Sequence, residues 1–389
     1  MRIAITGAGG QVGSQLAAGI AARKPTVEVV AVCRNAFSAK RLSTARCDVR
    51  IGSILDAESA RKVLEGCDTV IHCALSWDKL AGRHSVNLQM IRAIAQTGVR
   101  RLAFISTVAV YGSCLQSGIN TYAEPHPDSD YGRDKVMCER EVTRLFSEPG
   151  RRGFGLRLGH VYGPSLLWSR RILAMVRDRR FKLPFDGRLS SNAVRIDRAS
   201  DALAALLEGN MAGGVFNLTD EPNRSWREVF DWHTQACGLP AVAGLDEAES
   251  RELRAHYIGL KRMGLARASG EIAGAVIGAA GQMASASGLL KAAGRRVLGW
   301  VPGRAEQALR GRHLASIVAR ELGAMAGPEL WEPSLAILFS DPAPGPSLPC
   351  STETPAVGPA EQNLRERLSR WYAQWASADG PWRNQRPAL

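Results

Sequence analysis

Short apolar runs rich in β-branched residues alternate with amphipathic stretches through the first 110 residues of the chain. Residues 2–6 read as a short buried strand, residues 27–33 as a β-branched one, and 69–73 and 101–106 as two more. Between them, residues 12–23 place Val12, Leu16 and Ile20 on one helical face, and 56–65 and 87–97 also read as helices. Such alternation with short connections predicts a parallel sheet covered by helices on both faces. Residues 154–158 and 215–218 continue it as later strands. The region around 165–190 is basic and broken by Pro164, Pro184 and Gly187, which assigns it to a separate lobe. After about residue 221 the alternation stops. Residues 223–325 read as helical, 341–360 as a Pro/Ser/Thr-rich loop, and 361–376 as a last helix with Leu364, Leu368, Trp371, Tyr372 and Trp375 at roughly helical spacing.

The first turn carries recognisable chemistry. Gly7, Gly10 and Gly13 lie between the first strand and the first helix with G-x-x-G-x-x-G spacing. Glycine there serves a tight turn, close backbone approach to a pyrophosphate and helix-on-sheet packing. The helix N-terminus, opening at Gln11 and Val12, then offers free N–H groups to the phosphates. A second strand ending near Cys33 would carry an acidic residue for a ribose 2′-hydroxyl; here Arg34 follows, with Lys40 and Arg41 behind it. A cation at this point suits a 2′-phosphate, so NADP is expected over NAD, with NAD still open. Residues 1–164, with 192–220 returning to them, are therefore expected to bind the dinucleotide. Residues 165–191 and 221–389 would form the substrate lobe, with an Ala/Gly-rich helical insert at about 265–325.

Tyr131 and Lys135 are spaced i, i+4 and so share one face of the helix they open. An ammonium near a phenol favours the phenolate and suits it to acid/base work. Upstream, Ser106 and Thr107 put two hydroxyls at a strand end, where one could bond a reacting oxygen.

These stations occur in order along the chain: the glycine loop, Val70 to Ala74, Asn87, Ser106 to Gly112, Tyr131 to Lys135, and Arg157-Leu-Gly-His-Val-Tyr-Gly-Pro164. Together they resemble the extended short-chain dehydrogenase/reductases, in particular the sugar-nucleotide epimerase, dehydratase and ketoreductase branch. The resemblance covers about residues 1–220 and implies a Rossmann-type doubly wound parallel sheet with a smaller, mostly helical C-terminal substrate lobe. It implies Thr107 as the active-site hydroxyl, Tyr131 as the acid/base, and Lys135 on the nicotinamide ribose. Ala74 would flank the cofactor; Tyr111 and His72 would be structural.

The chain also departs from that branch. Val108 and Ala109 replace the acidic pair that follows the threonine in dehydratases, which disfavours 4,6-dehydration. His160 stands where an Asn commonly touches substrate phosphate. The arginine that often clamps the diphosphate is replaced near Ser191, leaving Arg188 or Arg195 as substitutes; Arg198 takes the place of a usual Asp. The leading expectation is an NAD(P)-dependent epimerase or ketoreductase acting on a nucleotide-activated sugar. An apolar, steroid-like alcohol and a non-catalytic NADP-sensing module are the alternatives. If at least two of Arg188, Arg195 and Arg198 face the cleft near Tyr131, a phosphorylated substrate is favoured.

Composition adds partners and compartment. A formal net charge of +13 favours an anionic small-molecule substrate. No nucleic-acid module signature is present, so nucleic acid is not expected as a partner. The eight cysteines form no Cys-x-x-Cys pair, which gives neither a metal site nor a disulfide framework and fits a cytoplasmic enzyme. The opening residues read directly as strand and turn, leaving no room for a signal peptide. Residues 272–290 carry no charge but are mostly Ala, Gly and Ser. That composition favours a buried helix over a membrane span, with peripheral membrane contact through 270–312 left open. A homodimer is likewise open.

Overall fold

The computed structural model describes residues 1–42, 45–76, 83–112, 124–127, 129–177, 181–209, 211–220, 224–252, 365–370 and 372. The expected insert at 265–325, the uncharged segment 272–290 and the loop at 341–360 lie outside the described residues. Two compact units emerge: residues 1–173, 189–241 and 340–389 in the first, and 174–188 with 242–339 in the second.

The first unit holds a seven-stranded sheet in the order β3-β2-β1-β4-β5-β6-β9, with every pairing parallel. In chain order the strands are β1 (Arg2–Thr6), β2 (Glu28–Cys33), β3 (Asp48–Ile51), β4 (Thr69–His72), β5 (Arg101–Thr107), β6 (Arg152–Leu158) and β9 (Gly214–Leu218). Helices on both faces bury a parallel sheet, so its central strands are buried almost throughout and mostly apolar. β4 is buried at every position, and β1 at all but Arg2. The helices α1 (Gln11–Arg23), α3 (Ala57–Val63), α4 (Arg83–Ala95), α5 (Asp130–Leu145) and α7 (Ile196–Glu208) fall where alternation requires them. α1 packs on α7 so closely that a Cβ on Gly19 would lie 2.6 Å from Ser200 Oγ. α3, α4 and α5 form a second contiguous layer. Ile91, Ile94, Leu102, Phe104, Cys138 and Val142 belong to one core cluster joining α4 and α5 to the sheet.

Strand order reverses beside β1, where the chain passes from β3 at the edge to β4 on β1's other flank. Ligands of open α/β sheets bind outside the carboxyl ends of the strands at such a switch point. Beyond β6, a short pair formed by β7 (His160–Tyr162) and β8 (Ala193–Arg195) branches away from the sheet. Here α6 (Leu167–Arg177) begins, and α8 (Trp226–Cys237) follows β9, opened by a Ser225/Glu228 capping box. Residues 365–370 are helical, inside the span expected for the last helix, and Leu368 is fully buried.

In the second unit, Leu183 bridges Gly244 in parallel, and Phe185 N–H donates to Ser250 Oγ at 2.7 Å. Among the described residues, no helix is long and apolar enough to cross a membrane.

Candidate active site

The glycine loop is built by contact. Gly7 has φ +68, a conformation that favours glycine, and a Cβ there would lie 2.6 Å from the backbone nitrogen of Ala74. The loop after β1 therefore sits directly on the chain leaving β4, which puts Ala74 beside it. Gly13 faces back into the turn: its Cβ would stand 2.4 Å from Gly7 O. Gly10 caps α1 without a side-chain hydrogen bond, so the first-turn N–H groups at Gln11, Val12 and Gly13 are left for a ligand. A pyrophosphate fits this cradle because added carbon would fill it and the uncapped helix end is electropositive.

This closeness has a measurable consequence. Alanine normally stabilises a helix relative to glycine by roughly 1 kcal/mol. Gly13→Ala is nevertheless expected to lower thermal stability and weaken nicotinamide-dinucleotide binding about tenfold or more. A variant that gains stability and binds the dinucleotide like the parent would show that the loop is looser than its geometry.

Next to the loop, Arg34 is exposed immediately after β2. Asn35 and Ser38 then form a capping box for the one-turn helix α2 (Ala36–Ala39). Arg41 donates to Gly9 O at 3.1 Å, tying this basic segment to the glycine loop.

On α5, Ser129 caps the helix through Gly132 N–H, which fixes the start of the turn that carries Tyr131. Lys135 is 4% exposed; its Nζ donates to Ile105 O at 2.7 Å, lies 4.6 Å from the Phe104 ring centroid and 5.7 Å from that of Tyr131. The lysine is thus held against β5 with its charge near the phenol ring. Thr107 ends β5; its Oγ1 accepts from Ala109 N–H at 3.2 Å, so the hydroxyl is fixed at the strand's carboxyl end. His72 shares a 2.6 Å hydrogen bond with Thr6 Oγ1, fully buried between β1 and β4. Burial, and secondarily the charge of Lys135, push its imidazole down to about 3, so it is neutral and structural.

Beneath these groups runs a buried polar network. Glu139 lies two turns beyond Tyr131 on α5 and receives Ser106 Oγ from β5 and two nitrogens of Arg157 from β6, Nη2 at 2.7 Å and Nε at 3.0 Å. Arg157 Nη1 donates to Tyr111 Oη at 2.8 Å, and Tyr111 donates to Asn217 Oδ1 on β9 at 2.9 Å. Asn87 on α4 donates to Asp134 at 2.6 Å and accepts from Ser76 N–H at 2.7 Å. The helix bearing Tyr131 and Lys135 is therefore pinned to β5 and β6, linked through Arg157 and Tyr111 to β9, and tied through Asn87 to the loop after β4. Glu139 and Asp134 carry no sequence signal that would single them out.

The residues expected to meet substrate are placed differently from one another. His160 opens β7, two residues beyond Leu158, which pairs with Thr107. Its ring lies 4.5 Å from Trp168 and 5.6 Å from Trp226. Burial, and then the charge of Arg171, push the imidazole down to about 3, leaving it neutral. Arg195 is buried and grips Asp197 through two nitrogens at 2.9 and 3.0 Å. Arg198 lies 4.0 Å from the wholly buried Asp220. Arg188 belongs to the second unit, where it pairs with Glu247 at 3.6 Å. Each of the three has a carboxylate at hand. Among the described residues no group of three His, Cys, Asp or Glu side chains could hold a metal ion.

The chain is similar to a farnesyl-dihydroquinoline-oxide ketoreductase of Stigmatella aurantiaca, 21% identical over 66% of this chain and 79% of that protein. It is also similar to 2′-dehydrokanamycin reductase of Streptomyces kanamyceticus, 29% identical over 39% of this chain and 44% of that one. Among solved structures, UDP-glucuronic acid 4-epimerase of Bacillus cereus in complex with NAD aligns with a TM-score of 0.52 and 24% identity, covering 64% of this chain and 88% of that one. This likeness establishes the shared fold. The model of the NAD dependent epimerase/dehydratase family matches residues 3–218, more than half of the chain. With its glycine cradle on a switch-point sheet, the chain belongs to the NAD-dependent epimerase/dehydratase family of enzymes.

Proposed function

We propose that the protein oxidises or reduces a hydroxyl or keto group of a nucleotide-activated sugar, with Tyr131 as acid/base. The observation that carries this reading is Lys135, held on Ile105 O with its charge 5.7 Å from the Tyr131 ring centroid. A bound nicotinamide dinucleotide supplies the hydride acceptor or donor. Tyr131 takes the proton of the substrate hydroxyl onto its phenolate oxygen in oxidation, or as the phenol gives its proton to the oxygen of a ketone in reduction. Lys135 would meet the negative charge of the phenolate and bind the nicotinamide ribose. Thr107 offers its hydroxyl to orient the reacting oxygen. Gly7, Gly10, Gly13 and the first turn of α1 would hold the pyrophosphate. His160, at the end of β6, would line the substrate side. A second reading, an uncharged ring-bearing ketone or alcohol, is favoured by the ring wall of His160, Trp168 and Trp226 at the end of β6.

The dinucleotide we propose is NADP, because Arg34 follows β2 where an acid would bind a free 2′-hydroxyl, and Arg41 stands on the glycine loop. Titration of cofactor-free protein is expected to give tighter binding of NADP(H) than NAD(H), and Arg34→Ala should remove most of the difference. Equal binding in the parent, or an unchanged preference in the variant, would sink the assignment. Turnover of a panel of UDP-, dTDP- and GDP-sugars, read as change in nicotinamide absorbance or as epimer formation, tests the substrate class. Turnover confined to uncharged ketones or alcohols would establish the second reading instead.

A further inference from the structure

The arginines near β6 fall into two groups. Arg195, Arg198 and Arg188 have carboxylates beside them. Arg171 on α6 has none: among the described residues no acidic side chain pairs with it, and its Nε is buried without a hydrogen-bond partner. Its guanidinium instead lies over the Trp168 ring, 5.4 Å from the centroid. Trp168 also packs against His160 at 4.5 Å and Trp226 at 5.5 Å. Trp226 is 1% exposed, and its Nε1–H likewise has no partner. Two unmet donors therefore belong to one aromatic cluster at the carboxyl end of the sheet. His160, neutral and without a side-chain hydrogen bond among the described residues, adds one donor and one acceptor.

A guanidinium partly withdrawn from water without a counter-charge is costly, and so is a buried N–H without an acceptor. Burial, followed by the neighbouring charge of Arg170, already weakens the hold of Arg171 on its proton. An incoming oxyanion removes this cost. It offers the planar guanidinium the paired hydrogen bonds that suit phosphate and carboxylate, in surroundings where indole rings keep water away.

We propose that Arg171, seated on Trp168 with His160 at the same ring, receives the oxyanion of the substrate, either the diphosphate or a sugar carboxylate. It thereby takes the part expected of Arg188 or Arg195. This rests on the reading that the enzyme acts on an activated sugar. Arg171 is a specificity residue, and no part of the proton transfer is assigned to it.

Calorimetric titration of the full chain, saturated with NADP⁺, with UDP and separately with D-glucuronate tests the proposal. At least one of the two anions should bind. Arg171→Gln should weaken that binding about tenfold or more, with affinity for the dinucleotide unchanged. Arg171→Lys keeps the charge and loses the paired geometry, so it should fall between the two and serves as the variant if the glutamine form does not fold. Binding of UDP alone identifies the diphosphate as the source; binding of glucuronate alone identifies the carboxylate. Failure of the parent to bind either anion overturns the proposal, as does a folded Arg171→Gln or Arg171→Lys protein that binds as tightly as the parent. Tyr131→Phe in the same titration separates the two ideas. It should bind the anion normally, and retained turnover by that variant would refute the acid/base reading while leaving the Arg171 result intact.

Discussion

Tyr131→Phe is expected to bind the nicotinamide dinucleotide as the parent does and to lose turnover by about 10²–10⁴-fold, the usual contribution of a positioned general acid/base. The ring is retained, so the packing beside Lys135 should survive; only the proton-carrying oxygen is removed. Lys135→Ala should behave differently. Lys135 is buried against β5 and donates to Ile105 O. Its loss should lower both turnover and dinucleotide affinity if, as proposed, one ammonium serves both the phenol and the ribose. Steady-state rates and dinucleotide titrations of the two variants separate these roles. Near-normal rates for Tyr131→Phe on a turned-over substrate would exclude Tyr131 as the acid/base.

The largest effect on stability is expected from Glu139→Ala. Glu139 and Arg157 are 4% and 6% exposed. Removing the carboxylate leaves the guanidinium buried without its charge partner and deprives Ser106 of its acceptor. Breaking a buried pair on one side costs about 3–5 kcal/mol. A fall of that size in unfolding free energy should appear in denaturant titrations of the dinucleotide-free protein. Replacing both partners with apolar side chains, as in Glu139→Leu with Arg157→Met, should recover a large part of the loss, because no lone buried charge remains. A single variant within about 0.5 kcal/mol of the parent would mean that water reaches Arg157 and that the network does not hold α5 in place. Because Glu139, Lys135 and Tyr131 lie along one face of α5, a loosened network should also displace the phenol.

The sequence by itself determined the parts of this protein that depend on neighbours in the chain. The sheet was legible because its central strands, buried on both faces, carry short, mostly apolar and β-branched runs between helical stretches. The glycine loop was legible because turn geometry and close approach restrict those positions to one residue type. The pairing of Tyr131 with Lys135 follows from helical spacing alone. β3 escaped notice because it is an edge strand whose residues are mostly exposed, so Asp48-Val-Arg-Ile51 shows no buried pattern. α2 is a single turn, too short for periodicity to register. Tertiary structure alone decided which charged groups are available for chemistry. Arg171, Arg188, Arg195 and Arg198 look alike in a basic stretch of sequence. Folding brings Asp197, Asp220 and Glu247 to the last three and an indole to the first. The same holds for the network from Ser106 through Glu139, Arg157 and Tyr111 to Asn217, whose members are up to 111 residues apart in the chain and meet only once the strands are side by side. Local pattern records what a residue's neighbours in sequence require of it; whether a buried charge is already neutralised depends on partners supplied by distant strands and helices.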